Sequence, residues 1–314
     1  MTRLTLLAGG VGGAKMAEGF NMLKDVELTI IGNVADDEEF HGLWVSPDID
    51  TIIYTLSGKV NRTQGWGVTD ECHRALDVLK ELGKETWMFL GDRDFGLHIY
   101  RTERLRNGDR PTSITDDISK QFGISAKINL PTDDKVQTKV RTIDGWQTFQ
   151  EYFVRDKCIP EVLELYYDGL SSSSITLEAE TSIINADLIV LAPSNPLVSI
   201  TPIIEIPGFK KALRKARAPI IAVSPLIAGK VVKGPADKML SSLGYRPDAL
   251  GIAEYYEGVI SHLLIDEKDY SFSESISSMG ITPHCKNILM RDKNEKERLA
   301  REIIEILRSL ETKI

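Results

Sequence analysis

The sequence predicts an α/β protein, doubly wound around a mainly parallel sheet, with a smaller α+β lobe inserted into it. Three observations carry that expectation. Short β-branched or leucine-rich runs alternate with stretches of helical composition. The first unit closes as strand, tight glycine turn, helix and strand, and two later strands open into polar, proline-containing loops of the kind that bind ligands at the carboxyl ends of parallel strands. The chain has 314 residues, 42% of them hydrophobic and 27% charged, enough to bury a substantial core. One domain over residues 1–314, with the lobe at 124–174, is the expected organisation.

Taken in order, Arg3 to Leu7 is a leucine-rich strand that runs into Gly9, Gly10, Gly12 and Gly13, and Ala14 to Leu23 follows as a helix. Val26 to Ile31 is a β-branched strand stopped by Gly32 and Asn33, which makes the opening a βαβ unit with a right-handed crossover. A long acidic, irregular stretch runs from Asn33 to Asp50 and ends in a helix-like segment from Ile49 to Leu56; long loops at strand ends often carry function. Asp70 to Leu82 is read as a helix with Thr69 or Asp70 as its cap and Gly83 as its stop. Trp87 to Leu90 is read as an apolar strand turning through Gly91, Asp92, Arg93 and Asp94 into another helix. Within 124–174 the rhythm breaks. There Lys135 to Thr142 alternates like an exposed strand, Gly145 marks a turn and Leu163 to Tyr167 is a further short strand. From Asp187 the wound pattern returns with strands at Leu188 to Ala192 and Pro219 to Val223, and Glu295 to Leu310 spaces its apolar residues as a closing surface helix.

Composition narrows the function. A formal charge of −8 argues against a broad nucleic-acid footprint, so an anionic ligand must be held locally by amides, helix N-termini and a few cations, with a divalent metal supported by the acidic excess. No apolar run approaches the roughly 20 residues that span a bilayer, and the N-terminus has no h-region of a signal peptide; a cytoplasmic protein with no membrane partner is expected. Cys72, Cys158 and Cys285 are widely separated and fit no zinc spacing, and the five histidines are scattered.

The segment from Leu7 to Lys15 lets backbone N–H groups approach a phosphate while the following helix offers its positive end. It lacks the third glycine of a dinucleotide fingerprint, and Lys15 is followed by Met16, which excludes a Walker A loop. Four glycines in five positions exceed what a tight turn needs, so phosphate binding is the preferred reading. The run Asp36 to Glu39 could coordinate a hard cation but is better read as solvated surface. Asp48 and Asp50 follow Pro47 at a helix start, where capping and proton-accepting roles compete. Arg93, between two aspartates, suits either a surface ion-pair cluster or a fork on an anionic or carbonyl oxygen. Trp66, between Gly65 and Gly67, suits either the core or the flank of a planar ligand. Ser194 and Asn195, and later the loop carrying Lys230 and Lys233, supply hydroxyl, amide and positive charge for a nucleotide diphosphate.

Six blocks, LAGGVGGAK, NVADDEEFHGLWVSPDIDT, GWGVTDE, FLGDRDFGLHI, LAPSNPLVSI and SPLIAGKVVKGPADK, occur in order from the first strand nearly to Leu243. Together they resemble the archaeal 2-phospho-L-lactate transferase family of deazaflavin coenzyme (F-420) biosynthesis. The resemblance implies a Rossmann-like sheet with an inserted region, usually in a homodimer. It also implies magnesium-assisted transfer of a 2-phospholactyl group from lactyl diphosphoguanosine to the ribityl hydroxyl of 7,8-didemethyl-8-hydroxy-5-deazariboflavin, with GMP leaving. By motif, Asp50 and Arg93 fall where the family contacts the deazaflavin, with Asp48 close by; Trp66, read from its loop alone, is grouped with them as a candidate flanking ring. Gly9, Gly10, Gly12, Gly13, Ser194 and Asn195 fall at the guanosine diphosphate. Asp48 or Asp50 is expected to orient or deprotonate the hydroxyl and to bind Mg²⁺, while Lys15 or Lys233 compensates the leaving phosphate. A lactyl and an enolpyruvyl donor are not separated by these motifs. The competing reading is a non-enzymatic nucleotide-sugar-binding regulator of the same fold; a nicotinamide dehydrogenase is disfavoured by the broken fingerprint.

Overall fold

The computed structural model describes residues 1–311. Along the chain, β1 (Thr2–Ala8) passes through the glycine cluster into α1 (Gly10–Asn21) and β2 (Val26–Gly32). A hairpin of β3 (Glu38–Phe40) and β4 (Leu43–Val45) precedes α2 (Pro47–Leu56), α3 (Arg74–Glu81), α4 (Asp92–Arg106), α5 (Pro111–Gln121) and β5 (Lys127–Asn129). Then come β6 (Gln137–Thr142), β7 (Gly145–Thr148) and β8 (Glu164–Asp168). The second half contributes β9 (Leu188–Leu191), β10 (Ile220–Val223), the short pair β11 (Leu226–Ile227) and β12 (Lys230–Val231), β13 (His262–Asp266) and β14 (Thr282–Lys286). It closes with the helix Lys293–Glu311.

Seven strands form one sheet in the order β14-β13-β10-β9-β1-β2-β5, and every pair in it is parallel. From β1 the chain winds outward through β2 to β5, then returns to the other side of β1 and winds outward again through β9, β10, β13 and β14. This is the Rossmann-like, doubly wound topology, and its direction reverses between β1 and β9, where ligands of such sheets bind. Strands covered on both faces read as continuous apolar runs. β9 (LIVL) and β13 (HLLID) are buried at every position. On one face Leu4, Leu6 and Val190 pack under α1 and the C-terminal helix; on the other Leu7, Ile31 and Leu191 pack under the helices of the second half. Among the described residues, no helix is long and apolar enough to cross a membrane.

Several sequence expectations change. The acidic stretch after β2 contains the β3–β4 hairpin, whose two-residue turn His41-Gly42 has positive φ at both positions (54° and 79°), as a tight primed turn requires. The helix expected from Asp70 begins only at Arg74. Asp70 is left-handed (φ 55°), and the Glu71 side chain is turned away to accept the N–H groups of Val68 and Asp94, so no helical turn starts there. Trp87 to Leu90 is not a strand. It finds no strand edge to pair with, and Leu90 packs on Phe40 and Val45 of the hairpin instead. β6, β7 and β8 form an antiparallel three-stranded sheet inside 124–174, whereas β5, in the same range, is an edge strand of the central sheet. Three strands of the central sheet, β5, β13 and β14, had no sequence expectation; β14 (TPHCK) lies at the sheet edge and carries a proline and little apolar surface.

Candidate active site

A cavity of about 470 Å³ opens at the carboxyl ends of β1, β2, β9 and β10, at the reversal point of the sheet. Its floor is a knot of three strand-end loops. Gly9, extended at the start of α1, donates its N–H to Ser194 Oγ (3.2 Å), and Ser194 Oγ donates back to the Gly9 carbonyl (2.7 Å). The Gly10 N–H reaches Asp48 Oδ1 (2.8 Å), and the Asn33 side-chain amide donates to Asp48 Oδ2 (2.9 Å) and to the Val198 carbonyl (3.2 Å). Two of the loop amides are thus spent on the protein, which leaves Val11 and Gly12 in the first turn of α1 to face an anion. The glycines are fixed by contact: a Cβ on Gly12 would lie 2.2 Å from the Pro193 carbonyl oxygen, and one on Gly9 2.5 Å from Asp48 Oδ2. Gly12→Ala is therefore expected to push apart the β1 and β9 loops and to destabilise the protein by about 1–3 kcal/mol, read by urea denaturation. Wild-type stability would mean that the two loops can separate freely.

Asp48 and Asp50 lie in the first turns of α2, but neither caps it, because Ser46 occupies the N-cap position and Pro47 follows. Both are buried. Burial raises the Asp48 carboxyl above its ordinary range, against the bonds from Asn33 and Gly10. Asp36, expected on solvated surface together with Asp37, is 5% exposed and lines the cavity. Burial first, then the charges of Asp48 and Asp37, hold its carboxyl well above the usual range, and its Oδ1 has no hydrogen-bond partner. Asp37 is buried behind it and accepts from Ser46 Oγ (2.6 Å) and Trp44 Nε1 (3.3 Å).

Two helices form the next wall. Asp50 and Tyr54, one turn apart on α2, face Asp94, His98 and Arg101, which share one stripe of α4 at i, i+4 and i+7. Arg101 is buried and grips both oxygens of Asp50, with Nη1 at 3.1 Å from Oδ2 and Nη2 on Oδ1. Tyr54 donates to Asp94 Oδ1 (2.7 Å). Burial holds the Asp94 carboxyl up to about 7 despite that bond, with Glu71 and Asp50 adding to the effect. An ordinary carboxylate ionises near pH 4 in the unfolded chain, so between about pH 4 and 7 the folded state binds the extra proton and this group makes stability fall as pH rises. Asp94→Asn removes that slope: its stability relative to wild type should rise by a few kcal/mol between pH 4.5 and 7.5 in urea denaturation, at about 1.4 kcal/mol per pKa unit. Parallel curves for the two proteins would contradict it.

The cavity lining is chemically mixed. Lys15 and Lys233 supply positive charge to it. Lys15 Nζ donates only to the Met290 carbonyl (3.0 Å) and Lys233 Nζ to the Gln64 carbonyl, and among the described residues neither forms an ion pair. Burial, then Lys296 and Lys233, lower the affinity of Lys15 for its proton. Apolar lining comes from Met88, Phe89 and Leu90 before α4 and from Phe149 and Phe153 of the lobe. Phe89 is 60% exposed, a large apolar side chain that meets the His73 ring edge to face at 5.9 Å.

Of the residues read from sequence, Gly9, Gly10, Gly12, Lys15, Asp48, Asp50, Trp66, Ser194, Asn195 and Lys233 line the cavity, and Gly13 lies behind it against Ala8 and Ser194. Trp66 is 42% exposed and so is not core; its loop packs on Val11 and Lys233. Asn195 caps the turn after β9 by accepting from the Leu197 N–H (3.0 Å). Arg93 is not in the wall. It is exposed and donates to the Thr69 carbonyl (2.6 Å), while its flanking aspartates bond elsewhere, Asp92 to the Cys72 N–H and Asp94 to Tyr54. Sequence reasoning weighed Asp36 and set it aside as surface, read Asp94 only as a flank of Arg93, and passed over Tyr54, His98 and Arg101. The i, i+4, i+7 spacing on α4 was a usable signal for three of them.

Comparison with known proteins agrees with this architecture. The family model described as 2-phospho-L-lactate transferase CofD matches residues 4–305. A 2-phospho-L-lactate transferase of Methanopyrus kandleri is 36% identical, over 98% of each chain. One from Methanococcoides burtonii is 33% identical, covering 98% of this chain and 100% of the relative. A phosphoenolpyruvate transferase of Streptomyces griseus is 34% identical over 97% of this chain and 98% of its own, so the likeness does not single out an archaeal source. A solved structure of a Bacillus halodurans protein aligns over 96% of this chain and 99% of its own with a TM-score of 0.65 at 15% identity, which shows a shared fold. With a family match over nearly its whole length and relatives above 30% identity along it, the chain belongs to the 2-phospho-L-lactate transferase family of enzymes.

Proposed function

We infer that the cavity holds the two substrates of one transfer. A guanosine-linked diphosphate donor lies along the glycine loop and the lysines, and a planar deazaflavin lies against the apolar wall with its ribityl chain toward Asp48. The observation that carries this is that one cavity is lined by Lys15 and Lys233, by the aromatic side chains Phe89, Phe149 and Phe153, and by the buried carboxylates Asp36 and Asp48. The terminal hydroxyl of 7,8-didemethyl-8-hydroxy-5-deazariboflavin attacks the phosphorus bearing the lactyl group, the bond from that phosphorus to the GMP oxygen breaks, and the hydroxyl proton leaves. Attack of an alcohol on a phosphoryl group depends on positioning and charge neutralisation rather than on a covalent nucleophile.

The residues present fit a magnesium ion. Asp36 and Asp48 are buried, line the cavity and are held above the ordinary carboxylate range, and Asp36 Oδ1 lacks any partner. Mg²⁺ is usually held by one or two carboxylates with water and substrate phosphate completing the shell. When bound it would neutralise charge on the diphosphate. Asp48, anchored by Gly10 and Asn33, orients the attacking hydroxyl and accepts its proton. Asp50 is assigned to holding Arg101, since both its oxygens are engaged there. Val11 and Gly12 amides with Lys15 and Lys233 bind the leaving phosphate. Trp66, on the loop beside Lys233, flanks the ligand ring nearest the donor end. For Arg93 to touch the acceptor, as the resemblance implies, it must exchange the Thr69 carbonyl for the ligand.

Relatives named for both phospholactate and phosphoenolpyruvate transfer keep the donor open. The test is to incubate the purified protein with Mg²⁺, the deazariboflavin and either the lactyl or the enolpyruvyl diphosphoguanosine, following GMP and the phosphodiester product by liquid chromatography and mass spectrometry. Product with either donor is expected. Nucleotide binding without product would fit a regulator instead.

A further inference from the structure

Ser199 lines the cavity and has no role in the transfer as assigned above. It lies in the turn that follows β9, where the chain winds wider than an α-helix. There the N–H groups of Ile200 and Thr201 reach back five residues, to the carbonyls of Asn195 (3.2 Å) and Pro196. Single wide turns of this kind recur at functional sites. A helical serine can turn its hydroxyl back onto the carbonyl four residues earlier, as Ser119 does onto Thr115 (2.8 Å). For Ser199 that carbonyl belongs to Asn195, and it already accepts two backbone N–H groups, from Ser199 itself (3.0 Å) and from Ile200. Its two lone pairs are taken. Ser199 Oγ accordingly bonds to no group among the described residues.

The hydroxyl is also within reach of a ligand. Ser199 is 6% exposed, but its Oγ is not one of the sealed, unpaired polar atoms such as Asp36 Oδ1, and the surface the residue keeps belongs to the cavity lining. Two groups already placed in the transfer fix where it sits. A Cβ on Gly9 would lie 3.1 Å from Ser199 Oγ and 2.5 Å from Asp48 Oδ2, so the hydroxyl and the carboxylate oxygen crowd one point at the root of the glycine loop. With the diphosphate along that loop and the ribityl hydroxyl at Asp48, the phosphorus under attack lies beside Ser199. The geometry points to Ser199 as a further catalytic residue, whose O–H donates a hydrogen bond to a non-bridging oxygen of the transferred phosphoryl group. The ribityl O–P bond forms, the bond from phosphorus to the GMP oxygen breaks, the ribityl proton passes to Asp48, and Ser199 keeps its own proton. A donor that gives up no protein bond to act suits the charge borne by those oxygens in the transition state. This inference rests on the assignment of the glycine loop to the diphosphate and of Asp48 to the attacking hydroxyl.

Ser199→Ala removes the hydroxyl and no hydrogen bond that the fold uses. The measurement is kcat for phosphodiester formation with saturating donor, deazariboflavin and Mg²⁺, alongside KM for the deazariboflavin, calorimetric GDP binding and urea denaturation. Ser199→Ala should lower kcat by about 100- to 1,000-fold, the loss associated with one donor to developing charge. Its KM, GDP affinity and urea midpoint should match those of the wild type. Ser199→Cys, a weaker donor of similar size, should fall between the two. Wild-type kcat in Ser199→Ala overturns the inference. Weakened GDP binding at unchanged kcat also overturns it, because the hydroxyl would then serve the leaving nucleotide. A fall in rate that comes with a lowered urea midpoint does so too, since the hydroxyl would be supporting the fold. A wild-type protein that binds both ligands and forms no product overturns the transfer reading itself, and this inference with it.

Discussion

Asp48→Asn should lower turnover by about 100- to 10,000-fold, the range associated with removing a positioned proton acceptor, while the protein stays folded. The substitution is isosteric, but it removes the negative charge that faces the cavity beside Asp36 and leaves one donor too many: the Gly10 N–H and the Asn33 amide both need an acceptor here, and an asparagine offers one oxygen. The lost hydrogen bond costs about 1–3 kcal/mol, offset in part because a buried carboxylate is no longer desolvated. GDP binding should survive, since Val11, Gly12, Lys15 and Lys233 are untouched. GMP release at saturating substrates, across a magnesium titration, reads the effect. Full turnover with an unchanged magnesium requirement would remove Asp48 from both assigned roles.

Arg101→Ala should destabilise the protein by about 3–5 kcal/mol, a large share of the 5–15 kcal/mol that holds a typical domain together. The cause is the carboxylate left behind. Asp50 is 4% exposed, and among the described residues Arg101 is its only charged ion-pair partner, since His98, 3.7 Å away, is neutral. The double substitution Asp50→Leu with Arg101→Leu should recover much of the loss, because it removes the orphaned charge rather than its partner. Equilibrium urea denaturation of the three proteins measures this. A single-variant loss below about 1 kcal/mol, the range of exposed pairs, would mean that water reaches Asp50.

The fold was legible wherever a strand was buried on both faces. β1, β2, β9 and β10 are short apolar runs followed by glycine or polar loops, and their order along the chain gave a wound parallel sheet. β14 was not legible, because an edge strand reading Thr-Pro-His-Cys-Lys has neither alternation nor an apolar run. Trp87 to Leu90 misled for the opposite reason: its apolar side chains serve the hairpin and the cavity wall rather than a sheet. In the site, the glycine loop, Asp48, Ser194 and Lys233 could be found because each sits in a local motif at a strand or helix end. Asp36 could not, since nothing local shows that an acidic run folds inward under Gln150, whose side-chain amide donates to the Asp36 carbonyl (3.3 Å). The Asp50 to Arg101 grip spans 51 positions and depends on how two helices face each other. Arg93 matched its motif, and in the structure it donates to the Thr69 carbonyl outside the cavity lining.

The most direct measurement is a fluorescence titration of the protein with hydroxy-deazariboflavin, with and without saturating GDP and Mg²⁺. If one cavity seats the nucleotide on the glycine loop and the deazaflavin against the apolar wall, binding is saturable and GDP leaves it unchanged or tightens it. Competition between the two ligands would contradict that arrangement, because it would place both at the same end.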